Sequence, residues 1–339
     1  MKNRLPFLDV MRGLTVLWMI ETHIVNVGLS LPWKTGPLYH LLYMSNGFVA
    51  PSFVFCTGAG FWFATPKIHF WKYLRRLGFL LGVGYGLNLD AGLSDFQRIA
   101  QCDILHAIVL ASFIALVFLV VSRRPEKIHW IFTFLALLVF LSTPLVWSAS
   151  WPRSLPLFLA MPLSPIPPSK FPIFPWMGYL FAGISVTGFL MNSRSPKIFA
   201  ATLAGISLAV PSLIFYIKEM NFTYPGMSGP YAEWYPSPGH SLFRLSGIML
   251  VFSLFYLVNN RLKISNGNRI IRFLQINGQE SLFMYVSHIL LVYGTAWTIG
   301  LRDFFPERLN PYETVAAFSL ITILCFSAAS LINRSTSKK

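Results

Sequence analysis

The first hydrophobic segment of the chain contains four ionisable side chains of the kinds that transfer protons or bind charged ligands. It reads LDVMRGLTVLWMIETHIVN over residues 8–26 and includes Asp9, Arg12, Glu21 and His23. Ionisable groups inside a bilayer are energetically costly and commonly line a substrate or proton pathway. We therefore expect this segment to contribute to a functional site.

Helical spacing places most of these side chains on one face. Each residue of an α-helix turns about 100°, so Asp9, Arg12 and His23, at steps of three and eleven residues, share one stripe. Glu21 lies about 180° from Arg12 and must face another neighbour. Imidazole is the side chain best suited to move protons near neutral pH. An orienting ion pair at the membrane edge and a histidine bonded to a neighbouring helix are the alternative interpretations.

Two later segments place a histidine beside other polar groups at helical spacing. QCDILHAIVL puts Asp103 three residues before His106, where a carboxylate could orient the imidazole and raise its basicity. GQESLFMYVSHILLVYG puts Ser281, Tyr285 and His288 on one helical face. Hydrogen bonds between membrane helices would satisfy the same groups. Structural and catalytic roles are both open for the two histidines.

The elements that must position these residues are membrane-spanning helices. Of the 339 residues, 55% are hydrophobic and 12% are charged, whereas a soluble domain carries about twice that share of charge. The apolar runs are long and lack the alternation of barrel strands, so we predict an all-α integral membrane protein. Runs of about 20 residues predict about ten spans near 8–29, 46–64, 72–90, 103–122, 128–148, 171–191, 197–217, 240–259, 280–300 and 311–333.

The basic residues are distributed unevenly around these spans. The net charge is +15, and an N-terminus in the cytoplasm places about twice as many Lys and Arg on the cytoplasmic side as on the other. This bias predicts that both termini are cytoplasmic. It also explains the basic charge without a nucleic-acid partner, which we do not expect. We predict one polytopic domain over residues 1–339.

The cysteines and the N-terminal segment bear on whether the chain has disulfides, a metal site or a signal peptide. Cys56, Cys102 and Cys325 show no paired spacing, so we expect neither a disulfide framework nor a metal site. Glu21 and His23 interrupt the first apolar stretch, and no small-residue cleavage site follows them. We therefore expect this segment to be a retained helix and not a signal peptide.

Several segments resemble known membrane acyltransferases. RLPFLDVMRGLTVLWMIETH resembles their signature, in which an Arg, a Leu-Asp and an Arg-Gly precede a helix ending in His. GFVAPSFVFCTGAGF is similar to the second helix of the heparan-alpha-glucosaminide N-acetyltransferase catalytic-domain family. DILHAIVLA, FPIFPWMGYLFAG and GQESLFMYVSHILLVYG occupy the family's later blocks in order. The resemblance extends from about residue 4 to residue 294.

The resemblance implies an enzyme that takes an acetyl or other acyl group from cytoplasmic acyl-CoA. The group would pass to a hydroxyl or amine of a sugar or glycan on the far side. Lysosomal relatives carry the active histidine in the loop after the signature helix and an Asn in the place of His23. General membrane acyltransferases place the histidine at the end of that helix, as at His23. Here His40 lies in the loop at a different spacing, so the identity of the base stays open.

Acyl transfer needs a base, donors for the developing oxyanion and positioning of both substrates. We expect His23 to deprotonate the acceptor or to carry the acyl group, Arg12 to hold polar groups of acyl-CoA, and Asp9 to fix Arg12. The other candidates are Glu21, His40, Asp103, His106 and His288 for proton transfer, and Arg75, Arg76, Arg123 and Arg124 for the anionic CoA nucleotide.

A proton-coupled secondary transporter or flippase is the main alternative, because intramembrane acids, histidines and arginines also suit transport. It predicts movement of an intact solute without dependence on acyl-CoA. A non-enzymatic membrane partner would leave the polar stripe unexplained. We expect a multi-pass protein of the lipid bilayer, in the inner membrane if the host is bacterial, and leave a homo-oligomer open.

Overall fold

The computed structural model describes residues 5–64, 69–91, 95–122, 127–149, 151–163, 165–166, 169–219, 237–262, 268–295 and 297–337. Within these ranges the secondary structure is helical, apart from isolated β-bridges that join Leu29 to Leu309 and Thr295 to Thr298. The prediction of an all-α fold is confirmed.

The α-helices of the described chain are named in chain order. They are α1 (Pro6–Gly28), α2 (Gly36–Asn46), α3 (Val49–Ala64), α4 (Phe70–Leu87), α5 (Phe96–Ala100), α6 (Ile104–Val121), α7 (Ile128–Ser148), α8 (Trp151–Ser154), α9 (Leu157–Ala160), α10 (Ile173–Asn192), α11 (Pro196–Glu219), α12 (Pro238–Leu262), α13 (Arg269–Gln279), α14 (Ser281–Tyr293), α15 (Leu301–Phe304) and α16 (Pro311–Ser337). Each predicted span coincides largely with one of them.

Six stretches of the described residues are long and apolar enough to cross a membrane, by length and composition. They cover residues 36–64, 96–121, 128–148, 173–192, 238–259 and 311–335, and shorter apolar helices cover 196–211 and 281–293. Helices α1 and α4 are also long, but each contains three charged residues. The number of spans and the side of the termini stay predictions.

The first of two compact units contains Met1–Phe53, Leu89–Gly92 and Val258–Lys339. In this unit α1 packs against α13, α14 and α16. The prediction of a single polytopic domain is not tested by the division into units and stays a prediction.

Two glycines allow α1 and α13 to approach at backbone distance. A Cβ atom on Gly13 would overlap the carbonyl oxygen of Leu274, and a Cβ atom on Gly278 would overlap that of Asp9. Small residues at such positions let membrane helices pack closely, since dispersion contacts replace the hydrophobic effect there. The sequence therefore fixes the N-terminal half of α1 against α13.

The C-terminal end of α1 is held by the chain segment that follows α14. Gly294, at φ 69°, ends α14 in a conformation that glycine adopts without strain. The Leu309 N–H then donates to the Gly28 carbonyl at 2.8 Å, and the Glu307 carboxylate pairs with Lys34 at 2.7 Å. The predicted span 280–300 consequently ends seven residues early as a helix.

The second compact unit contains Val54–Asn88 and Leu93–Leu257. Helix α10 packs against α6 and α7 there, and α4 packs against α6. A Cβ atom on Gly183 would overlap the Phe55 carbonyl oxygen, and one on Gly58 would overlap that of Leu180. These contacts fix α3 and α10 together within the unit.

Candidate active site

Two histidines and two tyrosines meet where α14 packs against the C-terminal part of α1. The Nδ1 atom of His23 lies 2.8 Å from the Tyr293 hydroxyl. The ring centre of His288 is 5.3 Å from that of His23 and 5.6 Å from that of Tyr285. We call these four residues the His–Tyr cluster. Among the predicted site residues, the structure brings His23 and His288 together.

Helix α1 positions His23 at the edge of the buried core. Its neighbours Ile20 and Ile24 are fully buried, whereas His23 is half-buried. One turn further on, the Lys34 ammonium donates to the Asn26 carbonyl at 3.0 Å. Packing at Ile20 and Ile24 and the bond at Asn26 hold this part of α1, and His23 itself is only partly buried.

Helix α14 buries His288 completely. Its Nδ1 atom lies 2.7 Å from the carbonyl oxygen of Met284. Because a carbonyl only accepts, Nδ1 is the protonated nitrogen and Nε2 of the neutral ring keeps its lone pair. That Nε2 is buried and forms no hydrogen bond with the described residues.

Tyr293, the last residue of α14, was missed by sequence reasoning. It is five residues from His288 and does not share the face of Tyr285 and His288. The Arg302 guanidinium carbon lies 5.8 Å from its ring centre, a cation–π arrangement. The adjacent Gly294, a common signal for a helix end, was the feature that could have drawn attention to it.

Glu21 lies on another face of α1, as predicted from its angle to Arg12. Both of its carboxylate oxygens are buried. Trp18, one turn earlier, donates from Nε1 to the Asn46 side chain at the end of α2 at 2.8 Å. A role of Glu21 in proton transfer stays a prediction.

Asp9 belongs to a polar network near the N-terminal end of α1. Its Oδ2 atom accepts from the Gln279 side chain at 3.2 Å, and Asn333 donates to Gln279 and Glu280 at 3.2 and 3.0 Å. This network joins α1, α13 and α16. Arg12 is half-buried on α1, and its pairing with Asp9 and contact with acyl-CoA stay predictions.

Asp103 and His106 form the N-terminal cap of α6 in the second unit. The bond to the His106 ring comes from the backbone N–H of Asp103, which donates to Nδ1 at 3.3 Å. His106 is buried beside Tyr85, with ring centres 4.4 Å apart, and a Cβ on Gly84 would lie 2.9 Å from its Cε1. This is a helix-capping arrangement, and a catalytic role for either residue stays a prediction.

The remaining predicted residues are placed as follows. His40 is exposed on α2, and Arg75 and Arg76 are exposed on α4. Arg123 and Arg124 lie outside the described residues. Within the described ranges no group of three or more His, Cys, Asp or Glu side chains could hold a metal ion. Binding of the CoA nucleotide by these arginines stays a prediction.

The arrangement around His23 is suited to general base catalysis. A base needs a partner that orients its ring and access to the proton that it removes. The Tyr293 hydroxyl is such a partner for Nδ1 of His23, and His23 is only partly buried.

Comparison with known proteins identifies the family. No curated protein matches the chain. The family model described as heparan-alpha-glucosaminide N-acetyltransferase, catalytic, matches residues 4–220, which is more than half of the chain. His23 lies inside this match, whereas His288 and Tyr293 lie beyond it. The chain belongs to the heparan-alpha-glucosaminide N-acetyltransferase catalytic-domain family, a family of transmembrane acetyltransferases.

Proposed function

We propose that the protein moves an acetyl or other short acyl group from cytoplasmic acyl-CoA to a hydroxyl or amine of an extracytoplasmic sugar or glycan. Family membership supports the acetyl-transfer class. The observation that carries the assignment of the base is the 2.8 Å contact between His23 and Tyr293. It gives the histidine of the signature helix a partner that orients one ring nitrogen, as a general base requires.

We assign different roles to the two nitrogens of His23. For Nε2 to accept a proton, the neutral ring must carry its own proton on Nδ1. The Tyr293 oxygen lies at Nδ1 and accepts from it in this tautomer. Nε2 then has the lone pair that acts as the base.

The proposed reaction transfers one acyl group and one proton. Nε2 of His23 takes the proton of the acceptor hydroxyl or amine while the acceptor oxygen or nitrogen attacks the thioester carbonyl carbon. The carbon–sulfur bond then breaks, and the proton on His23 passes to the CoA thiolate. The products are the acylated acceptor and free CoA.

The test is an assay of purified protein in lipid nanodiscs with radiolabelled acetyl-CoA and a panel of sugars, amino sugars and glycans. We expect release of free CoA and labelling of at least one acceptor. His23→Ala should lower the rate by a factor on the order of 100 or more, because the base is lost. The exposed His69 at the start of α4 provides the control variant His69→Ala, which should retain full activity.

Two results would contradict the proposal. Normal transfer by a folded His23→Ala protein would exclude His23 as the base. Transport of an intact solute into vesicles without any requirement for acyl-CoA would instead establish the transporter alternative.

A further inference from the structure

Two arginines of α13 have no counterion among the residues that the structure describes. Arg269 and Arg272 lie one turn apart and are both exposed, and neither guanidinium forms a hydrogen bond or an ion pair with a described residue. No acidic residue lies in the first turn of this helix, where the helix dipole disfavours cations. The two charges and the dipole together favour a bound anion at this end of α13.

The guanidinium groups, and not the backbone, are the donors available to such an anion. The first backbone N–H groups of α13 are already capped, because Oδ1 of Asn268 accepts from Ile270 at 2.9 Å and from Ile271 at 3.3 Å. Each guanidinium can donate two parallel hydrogen bonds to a phosphate. Residues three apart are neighbours on a helix surface, so both groups can contact one phosphate or diphosphate.

Helix α13 runs beside α16 in the same direction. The rings of Phe273 and Phe326 have centres 4.5 Å apart, and the Asn333 side chain donates to that of Gln279 at 3.2 Å. The order from Phe273 to Gln279 along α13 thus matches the order from Phe326 to Asn333 along α16. Since each residue advances a helix by about 1.5 Å, the two arginines before Phe273 are level with residues at about 322–325 of α16.

This level is the middle of a stretch that can span a membrane. Residues 311–335 are long and apolar enough to cross a bilayer. Around the same level α16 exposes apolar side chains, a surface suited to lipid tails. Four of them are 50–65% exposed, namely Leu320, Ile323, Leu324 and Leu331. Unpaired guanidinium groups at this depth are costly in lipid, and intramembrane charges therefore face water-filled paths or ligands.

The start of α13 also lies close to the level of the proposed base. Gly13 of α1 meets the backbone of Leu274. One turn earlier on α1, Asp9 meets Gly278, which is one turn later on α13. The two helices are therefore antiparallel, and the start of α13 is level with the middle of α1, roughly 8 Å from His23 along the helix axis. An anion bound there lies between the predicted cytoplasmic end of α1 and His23.

We propose that Arg269 and Arg272 bind the diphosphate of acyl-CoA when the donor enters from the cytoplasmic side. This inference rests on the proposed function. Acyl-CoA carries its diphosphate and its thioester at opposite ends of a long pantetheine arm. A diphosphate held at the start of α13 leaves the thioester free to extend towards His23. The two arginines position the donor and take no part in the proton transfer.

The first test is the binding of free CoA to the full chain in phosphatidylcholine nanodiscs, measured by isothermal titration calorimetry. Replacing both Arg269 and Arg272 by Ala should weaken binding at least tenfold, because charge-assisted hydrogen bonds are lost. Replacing both by Lys should give an intermediate affinity, since Lys keeps the charge and loses the paired bonds. Arg308→Ala is the matched control, because Arg308 is exposed in the same unit and adjoins Leu309, which bonds to the opposite end of α1.

Analogues of CoA identify the group that the arginines contact. 3′-Dephospho-CoA retains the diphosphate, so its affinity should fall by the same factor in the double alanine variant. Pantetheine lacks the diphosphate, so the parent and the variant should bind it equally. A loss of affinity for CoA but not for 3′-dephospho-CoA would overturn the assignment of the diphosphate.

An anionic lipid headgroup is the other source of phosphate near a membrane helix. Native mass spectrometry of protein released from nanodiscs that contain phosphatidylglycerol distinguishes the two sources. We expect the parent and the double alanine variant to retain this lipid equally. Loss of bound phosphatidylglycerol with unchanged affinity for CoA would overturn the inference.

Failure of this inference can be separated from failure of the proposed function. Equal affinity of the parent and the double alanine variant for CoA would overturn the inference without contradicting acyl transfer. Arginine-dependent binding of CoA without acyl transfer to any acceptor would contradict the proposed function alone. In the transfer assay the double alanine variant should raise KM for acetyl-CoA at least tenfold with little change in kcat, because only binding of the donor is weakened.

Discussion

The Tyr293 hydroxyl lies 2.8 Å from Nδ1 of His23 and orients the imidazole that we propose as the base. Replacing Tyr293 with Phe removes the partner of Nδ1 but keeps the ring that lies beneath Arg302. A hydrogen bond worth about 1–1.5 kcal/mol corresponds to roughly a tenfold change in rate. We expect Tyr293→Phe to lower kcat by about this factor, measured as CoA release in nanodiscs.

The matched control for this substitution is Tyr312→Phe, because Tyr312 is 87% exposed at the start of α16. It should leave kcat unchanged. If Tyr293→Phe were as active as the control, the Tyr293 hydroxyl would have no part in orienting the His23 imidazole for catalysis.

At the residue scale, the sequence indicated which polar side chains lie within apolar helices, but it did not indicate which residues those side chains contact. His23 and His288 could be selected because histidines are rare within apolar segments. Their proximity could not be derived, since it depends on how α1 and α14 pack. The bond from the Asp103 backbone N–H to the His106 ring could not be derived either, and orientation of that ring by the Asp103 carboxylate stays a prediction.

At the element scale, the contact of α1 with α13 depends on glycines that have no room for a side chain. Gly13→Ala would place a methyl group against the Leu274 carbonyl, and overpacking of this kind destabilises by about 1–3 kcal/mol. We expect a lower melting temperature, followed with a thiol-reactive dye that reports exposure of the buried Cys56, Cys102 and Cys325.

Gly82→Ala on α4 is the control, because a Cβ atom there would have no neighbour within 4 Å. Alanine favours a helix more than glycine does, so this variant should melt at or above the parent temperature. Equal melting temperatures for Gly13→Ala and Gly82→Ala would show that α1 and α13 are not closely packed.

Hydropathy located the long helices and missed the short ones. Long apolar runs can be recognised in a sequence from their length and composition. Helices α2 and α13 are only 11 residues long, and such helices depend on packing for most of their stability. Because their stability depends on packing and not on a long apolar run, the sequence analysis placed α2 and α13 within connections between spans. Hydropathy also did not predict that α14 ends before Gly294, because apolar residues continue beyond Gly294.

At the scale of the whole molecule, the fold joins distant parts of the chain in one unit. The His–Tyr cluster combines His23 from the first helix with His288 and Tyr293, which lie beyond the family match at residues 4–220. All of these residues belong to the first compact unit. A truncation at the end of the family match would therefore remove the partners of His23.

The predicted orientation of the chain leads to a directional test of transfer. Both termini are expected in the cytoplasm from the distribution of Lys and Arg, so acyl-CoA should be used only from that side. In sealed inverted vesicles, with the acceptor enclosed and labelled acetyl-CoA added outside, we expect labelled acceptor to accumulate in the lumen. Right-side-out vesicles given the same external acetyl-CoA should show no labelling, since CoA does not cross the bilayer. Equal labelling in both orientations would contradict transfer across the membrane, and His23→Ala vesicles provide the background.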